Sequence, residues 1–204
     1  IVNTESFGVG VRVIVNGTWG FSSTNNVTPD GIKKATERAV AIAKANSKFQ
    51  KEAVKLAPLK GHGEVTWNTP LQKNPFEVPV SEKVDLLLRA NGAAMQNGAN
   101  FANSQVFQVN EQKYFASTDG SYIDQDIHRI WPTFTVSVID RASGKFKTRD
   151  SMSAPMGMGW EYMIPKEEDK LPGPMGMKLY RNSYDIIEDA IMAARQAKEM
   201  IAAK

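Results

Sequence analysis

Apolar and polar residues alternate from Val9 onward, with Val9, Val11, Val13 and Val15 at strand period. Asn16-Gly17 follows, and this pair favours a two-residue turn with positive φ at both positions. That turn sets Val15 against Thr18, Ile14 against Trp19, Val13 against Gly20 and Arg12 against Phe21. The valines then share a face with Thr18, Gly20 and Ser22, while Trp19 and Phe21 occupy the other face beside Gly8 and Gly10. Both faces carry apolar surface, so a hairpin inside a layered α+β domain is expected. The period then changes to 3.6. Thr28 suits an N-cap, Pro29 the first helical position and Asp30 the positive helix start. Ile32, Ala35, Ala39, Val40 and Ala43 form the apolar stripe, and the helix is expected to stop near Asn46.

Residues 47–56 either extend this helix or cross as a loop. Pro58, Pro70, Pro75 and Pro79 mark residues 57–80 as an extended connector, with a short strand near Glu64 to Trp67. Ser81 is placed as the cap of a second helix, on which Val84, Leu87, Leu88, Asn91 and Met95 recur before Asn97-Gly98. Strand patterns follow at Ser104 to Val109 and Lys113 to Ser117, with a turn expected at residues 110–112. A second turn falls at residues 118–121. The long stretch Tyr122 to Asp140 contains Pro132, which is expected to break it, bend it or place it at an edge. Ala142-Ser143-Gly144 turns into Lys145 to Arg149. Residues 151–178 read as irregular, and a last helix spans about Ser183 to Ala203. The fold class is α+β: a hairpin-plus-helix lobe (1–56), the connector (57–80), and an antiparallel meander with flanking helices (81–204).

Composition narrows the function classes. The chain has 204 residues and a net charge of +3, too mild an excess to argue for nucleic acid. No apolar run approaches 18 residues, so no membrane-crossing helix is expected. With no cysteine, disulfides and thiolate metal sites are excluded. The chain begins at Ile1 without a methionine, which is the expectation for a processed form, a fragment or a trimmed chain.

Candidate chemistry is sparse. The two histidines, His62 and His128, stand 66 positions apart. Alternation puts Asp124, Asp126 and His128 on one strand face, which would either hold a metal or form a polar face with a local ion pair. His62, in Lys60-Gly61-His62-Gly63, reads as a loop imidazole. Lys44, Lys48, Lys51 and Lys55 suit a solvated face or an anionic partner. Met152, Met156, Met158, Met163, Met175 and Met177 crowd one segment. They would ligate Cu(I), offer an adaptable surface, or fill gaps in packing. Gly8-Val-Gly10 precedes a strand, and Gly157-x-Gly159 precedes Trp160-Glu161, so neither is a phosphate loop.

Four stretches, in order, resemble the TldD/PmbA family of metallopeptidase subunits, also named as modulators of DNA gyrase. They are GVGVRVIVNGTWGFSS, NPFEVPV with Asn74 where the family often has Asp, FASTDGSYIDQD with the long strand after it, and GMGWEY. The resemblance covers nearly the whole chain and marks Gly8, Gly10, Arg12, Gly17, Gly20, Phe76, Gly120, Gly159, Trp160 and Glu161 as motif residues with structural roles. The family's His-Glu-x-x-x-His signature, which holds zinc and supplies a general base, is absent from the sequence. The resemblance therefore implies the N-terminal and central parts of a longer zinc peptidase subunit, inactive alone, with no catalytic residue and no zinc of its own. It further implies a homodimer or a heterodimer with a family partner, unfolded peptide as substrate, and no direct contact with nucleic acid or membrane. A cytoplasmic location is expected, or an exported one if a signal peptide precedes Ile1. The rival reading is a non-enzymatic binding or assembly module, such as an inactive partner subunit.

Overall fold

The computed structural model describes residues 1–173 and 178–203. They divide into two compact units, Ile1–Leu59 and Lys60–Lys204.

In the first unit, β1 (Val9–Val15) and β2 (Thr18–Thr24) form the antiparallel hairpin in the register that the Asn16-Gly17 turn dictates. Both turn residues have positive φ, 51° and 73°. Helix α1 (Pro29–Asn46) starts where its cap chemistry places it, with the Thr28 hydroxyl accepting from the Gly31 N–H at 3.2 Å. Ala35, Ala39 and Ala43 are buried on the valine face. Gly20 lets the helix come this close: a Cβ there would stand 2.0 Å from the Ala39 carbonyl oxygen and 2.9 Å from Ala43. Trp19 and Phe21 stay exposed on the opposite face, with the Arg12 guanidinium 5.9 Å from each ring centre. The chain leaves the helix at Asn46 and returns to the turn, where the Val54 N–H donates to the Gly17 carbonyl at 2.8 Å.

The second unit is built on β5 (Ser121–Asp140), a 20-residue strand. One edge pairs antiparallel with β4 (Phe101–Ser117) over all 17 residues of that strand. The other edge pairs parallel with β3 (Gly63–Asn68), then antiparallel with β6 (Lys145–Asp150). Helices α2 (Val80–Gln96) and α3 (Ile186–Ala202) pack on each other, α2 against β4 and α3 against β5 and β6. Their alanines Ala90, Ala94, Ala190, Ala193 and Ala194 meet Ile130, Phe134 and Val136 in one core. Two short strands, β7 (Lys170–Pro172) and β8 (Lys178–Tyr180), pair with each other. The architecture is α+β, as the periodicities imply.

Several local expectations are corrected. No turn interrupts residues 110–112; β4 runs straight through with an unbroken register. Asn110, Glu111 and Gln112 are polar because that part of the strand faces water, so local composition imitated a turn. Pro132 neither breaks nor ends β5. It lies between the last β3 pair at Asp126 and the first β6 pair at Thr135, where that edge has no strand partner and a missing N–H costs nothing. The second helix begins at Val80 with Pro79 at the cap position and no side-chain cap, not at Ser81. The connector supplies β3, and this strand is parallel to β5 rather than part of the antiparallel meander.

Candidate functional site

Two clusters bring the singled-out residues together. The first centres on Glu161, which sits in a short 3₁₀ turn (Trp160–Met163) and is buried. Its carboxylate accepts the Gly159 N–H at 2.8 Å and the Lys73 N–H at 3.0 Å. The Trp160 N–H donates back to the Lys73 carbonyl at 2.8 Å, and the indole N–H reaches Glu82 at 3.1 Å. A Cβ on Gly159 would lie 2.4 Å from that carbonyl oxygen and 2.5 Å from the Glu161 carboxylate, so only glycine fits. Burial pushes the Glu161 pKa up, but backbone donors from Gly159, Lys73, Glu161 itself and Gln72 outweigh it, leaving the group below the ordinary value. The arrangement is a backbone clasp. It ties residues 72–74 to residues 159–161, and its carboxylate is already occupied. Beside it, the Asn74 side chain accepts from the Phe76 N–H at 3.0 Å, turning the chain so that Pro75 and Val78 are buried.

The second cluster lies on the face of β5 that alternation assigned to Asp124, Asp126 and His128. The Asn110 amide, across on β4, donates to Asp126 and lies 2.8 Å from His128 Nε2. Asp126 Oδ1 is 3.4 Å from the same ring nitrogen. The other ring nitrogen, Nδ1, is buried and has no hydrogen-bond partner among the described residues. The Phe76 ring meets the imidazole edge-on at 6.0 Å, and the Thr69 hydroxyl accepts from the His128 N–H at 2.9 Å. Asp124 takes no part. Among the described residues no three His, Asp or Glu side chains converge in a way that could hold a metal ion. In local composition Asn110 has the look of a turn residue. Only the strand register places it opposite His128.

The remaining singled-out residues are dispersed. Gly120 turns the β4–β5 hairpin with φ of 85°. His62 is exposed, its backbone N–H donating to the Ser121 hydroxyl at 2.9 Å. Among the methionines, Met163 is buried and Met156 bridges to Ile130 through the backbone, while Met175 and Met177 lie outside the described residues. A cavity of about 150 Å³ opens beside Met152, Tyr162, Ser183, Tyr184 and Asp189. Asp189, buried, accepts from the Tyr184 hydroxyl at 2.6 Å and the Met152 N–H at 2.8 Å. Burial and then the Asp189 charge push the Tyr184 pKa well up, so this tyrosine is a hydrogen-bond donor and no base. Neither cluster pairs a nucleophile with a base.

Comparison with known proteins fixes the family. The description "PmbA/TldA metallopeptidase domain 1" matches residues 1–43, and "PmbA/TldA metallopeptidase central domain" matches residues 73–201. The chain belongs to the TldD/PmbA family. Within it, the chain is 26% identical over 125 residues to a protein of Methanocaldococcus jannaschii named metalloprotease MJ0996, covering 60% of this chain and 27% of that relative. It is 29% identical over 146 residues to a Buchnera aphidicola (subsp. Schizaphis graminum) protein named metalloprotease TldD homolog, covering 68% and 27%. A solved Thermotoga maritima protein, described as a modulator of a DNA gyrase, has the same fold. It superposes with a TM-score of 0.61 at 14% identity, over 97% of this chain and 38% of the other. The TldD/PmbA chain thus spans about a quarter of the curated relatives it matches. Among its described residues, no helix is long and apolar enough to cross a membrane.

Proposed function

We propose that this chain is the non-catalytic N-terminal and central part of a TldD/PmbA-type zinc metallopeptidase subunit that cuts unstructured peptides. Its role is to wall the cavity, restrict entry and support the dimer. The observation that carries the reading is the pair of family matches, in order, to domain 1 and the central domain, with two relatives named metalloproteases. Zinc chemistry does not fit the residues present: the two histidines are far apart in sequence, and His128 is engaged by Asn110 and Asp126. Zinc and its general base therefore belong, in this reading, to sequence other than these residues. The clasp at Glu161 and the core of small residues suit a rigid wall. A non-enzymatic assembly module is the second reading, favoured by the aromatic sheet face on which Phe107 stacks on Trp131 at 5.4 Å with both rings partly exposed.

The test is cleavage of a reduced, unfolded polypeptide. The protein expressed from its complete reading frame should cut it and lose that activity with a chelator, while these 204 residues alone should not. No cutting by the complete protein would support the module. Equal cutting by the 204 residues would overturn both readings.

A further inference from the structure

The cavity beside the start of α3 contains a charge that no cation answers. It encloses about 150 Å³, and Met152, Tyr162, Ser183, Tyr184, Asp189 and Met192 line it. Lys178, Asp185 and Glu188 complete the charged part of its wall, which sets three carboxylates against one ammonium. Two of the carboxylates are accounted for. Glu188 pairs with Lys178 at 3.3 Å. Asp185 caps α3, accepting the Ile187 N–H at 3.1 Å and the Glu188 N–H at 3.0 Å, so it answers the positive end of that helix. Asp189 is left. It is 8% exposed, and its two donors, the Tyr184 hydroxyl and the Met152 N–H, are neutral and reach the same oxygen, Oδ2. Among the described residues no Lys, Arg or His pairs with it. Burying a carboxylate without a cation is costly.

A second group in the same wall is unsatisfied. Ser183 is 6% exposed, and its hydroxyl has no hydrogen-bond partner among the described residues. Buried hydroxyls normally have one. The rest of the wall is aromatic and thioether. The Tyr162 and Tyr184 rings stack with centres 6.1 Å apart, and Met152 and Met192 add sulfur. Aromatic faces attract cations, and thioethers are polarisable and adapt to shape.

These features select the ligand chemistry. An anion would be repelled by Asp189. A neutral apolar molecule would leave both Asp189 and Ser183 unanswered. A metal ion lacks ligands, because among the described residues no three His, Asp or Glu side chains converge on one point. A primary alkylammonium meets every requirement: its N–H groups serve the carboxylate and the hydroxyl, and its carbons lie against the rings and thioethers. A cavity of about this volume holds one ligand of roughly benzene size. We propose that this cavity binds a primary alkylammonium group, with Asp189 and Ser183 accepting from its N–H donors and Tyr162, Tyr184, Met152 and Met192 enclosing its chain. A free amine and a lysine side chain present the same group. The proposal goes beyond the peptidase reading, and its readout is binding, which does not depend on cleavage.

The test is titration of the 204-residue chain with n-butylammonium chloride, followed by calorimetry and by the methyl signals of isotope-labelled methionine. Sodium chloride at equal ionic strength is the blank. Saturation at one ligand per chain is expected with a Kd on the order of millimolar, and the Met152 and Met192 methyls should move. n-Butanol, which lacks the charge, and tetramethylammonium, which lacks N–H donors, should each bind about tenfold more weakly or worse. Asp189→Asn should cost about tenfold in affinity. That residue also holds Tyr184 and Met152, so Ser183→Ala keeps the test independent of folding: it deletes a hydroxyl without a partner, and should leave the melting temperature unchanged while lowering affinity roughly threefold or more. A capped Gly-Lys-Gly peptide separates the two sources. Tighter binding than n-butylammonium assigns the group to a lysine side chain, and weaker binding assigns it to a free amine. No saturable binding, equal binding of n-butanol, or an affinity indifferent to Ser183→Ala would each overturn the proposal.

Discussion

Gly20→Ala is expected to unfold the hairpin-and-helix unit. The added methyl would sit 2.0 Å from the Ala39 carbonyl oxygen and 2.9 Å from the backbone nitrogen and Cβ of Ala43. All three atoms belong to the spine of α1 or lie one bond from it, so no side chain can swing aside. The helix must lift off the hairpin, which opens the contact that buries Ala35, Ala39 and Ala43. Overpacking of this kind costs about 3 kcal/mol or more. A unit of this size has only a few kcal/mol to lose. Hydrogen exchange at the amides of Val9–Asn46 measures the effect directly. Gly10→Ala is the control. Its methyl meets only the Phe21 ring, at 3.2 Å, and that exposed ring can move. Protection should collapse in the first variant and hold in the second. Unchanged protection in Gly20→Ala would mean that the helix does not pack as described.

Glu161→Gln should be the most damaging isosteric change in the second unit. The amide keeps the shape but offers one acceptor where the carboxylate offers two, and it turns an N–H toward another N–H. Charge-assisted bonds of this kind contribute about 1.5–3 kcal/mol each. A loss of about 3 kcal/mol at neutral pH is expected, lowering the melting temperature on the order of 10 °C. The pH dependence gives a second signature. The folded-state pKa of Glu161 is lowered, so its contribution is fully present above the ordinary glutamate value of 4.5 and is lost as pH falls toward the folded pKa. The gap between the two proteins should therefore be constant near neutrality and narrow below about pH 4.5. A gap that stays constant into acid would mean that the carboxylate is not the clasp.

The legible parts of the sequence were those with local causes. The Asn16-Gly17 turn fixed the hairpin register, and Thr28-Pro29-Asp30 fixed the start of α1, because turns and caps depend on a few adjacent residues. The Asp124–Asp126–His128 face followed from period 2 alone. What failed depended on distant partners. Residues 110–112 are polar because their strand projects into water, and local composition cannot separate that from a turn. Pro132 continues β5 because its edge lacks a strand partner there, a fact of topology. The family resemblance marks Glu161, but the reason for it, backbone N–H donors from residues 73 and 159, exists only once the connector is folded back.

The central claim is that these residues are the scaffold part of a zinc peptidase subunit, and metal content tests it most directly. Zinc is measured by elemental analysis on the protein expressed from its complete reading frame and on these 204 residues prepared identically. The account predicts about one zinc per chain in the first and none in the second. Stoichiometric zinc bound by the 204 residues, or none in the complete protein, would contradict it.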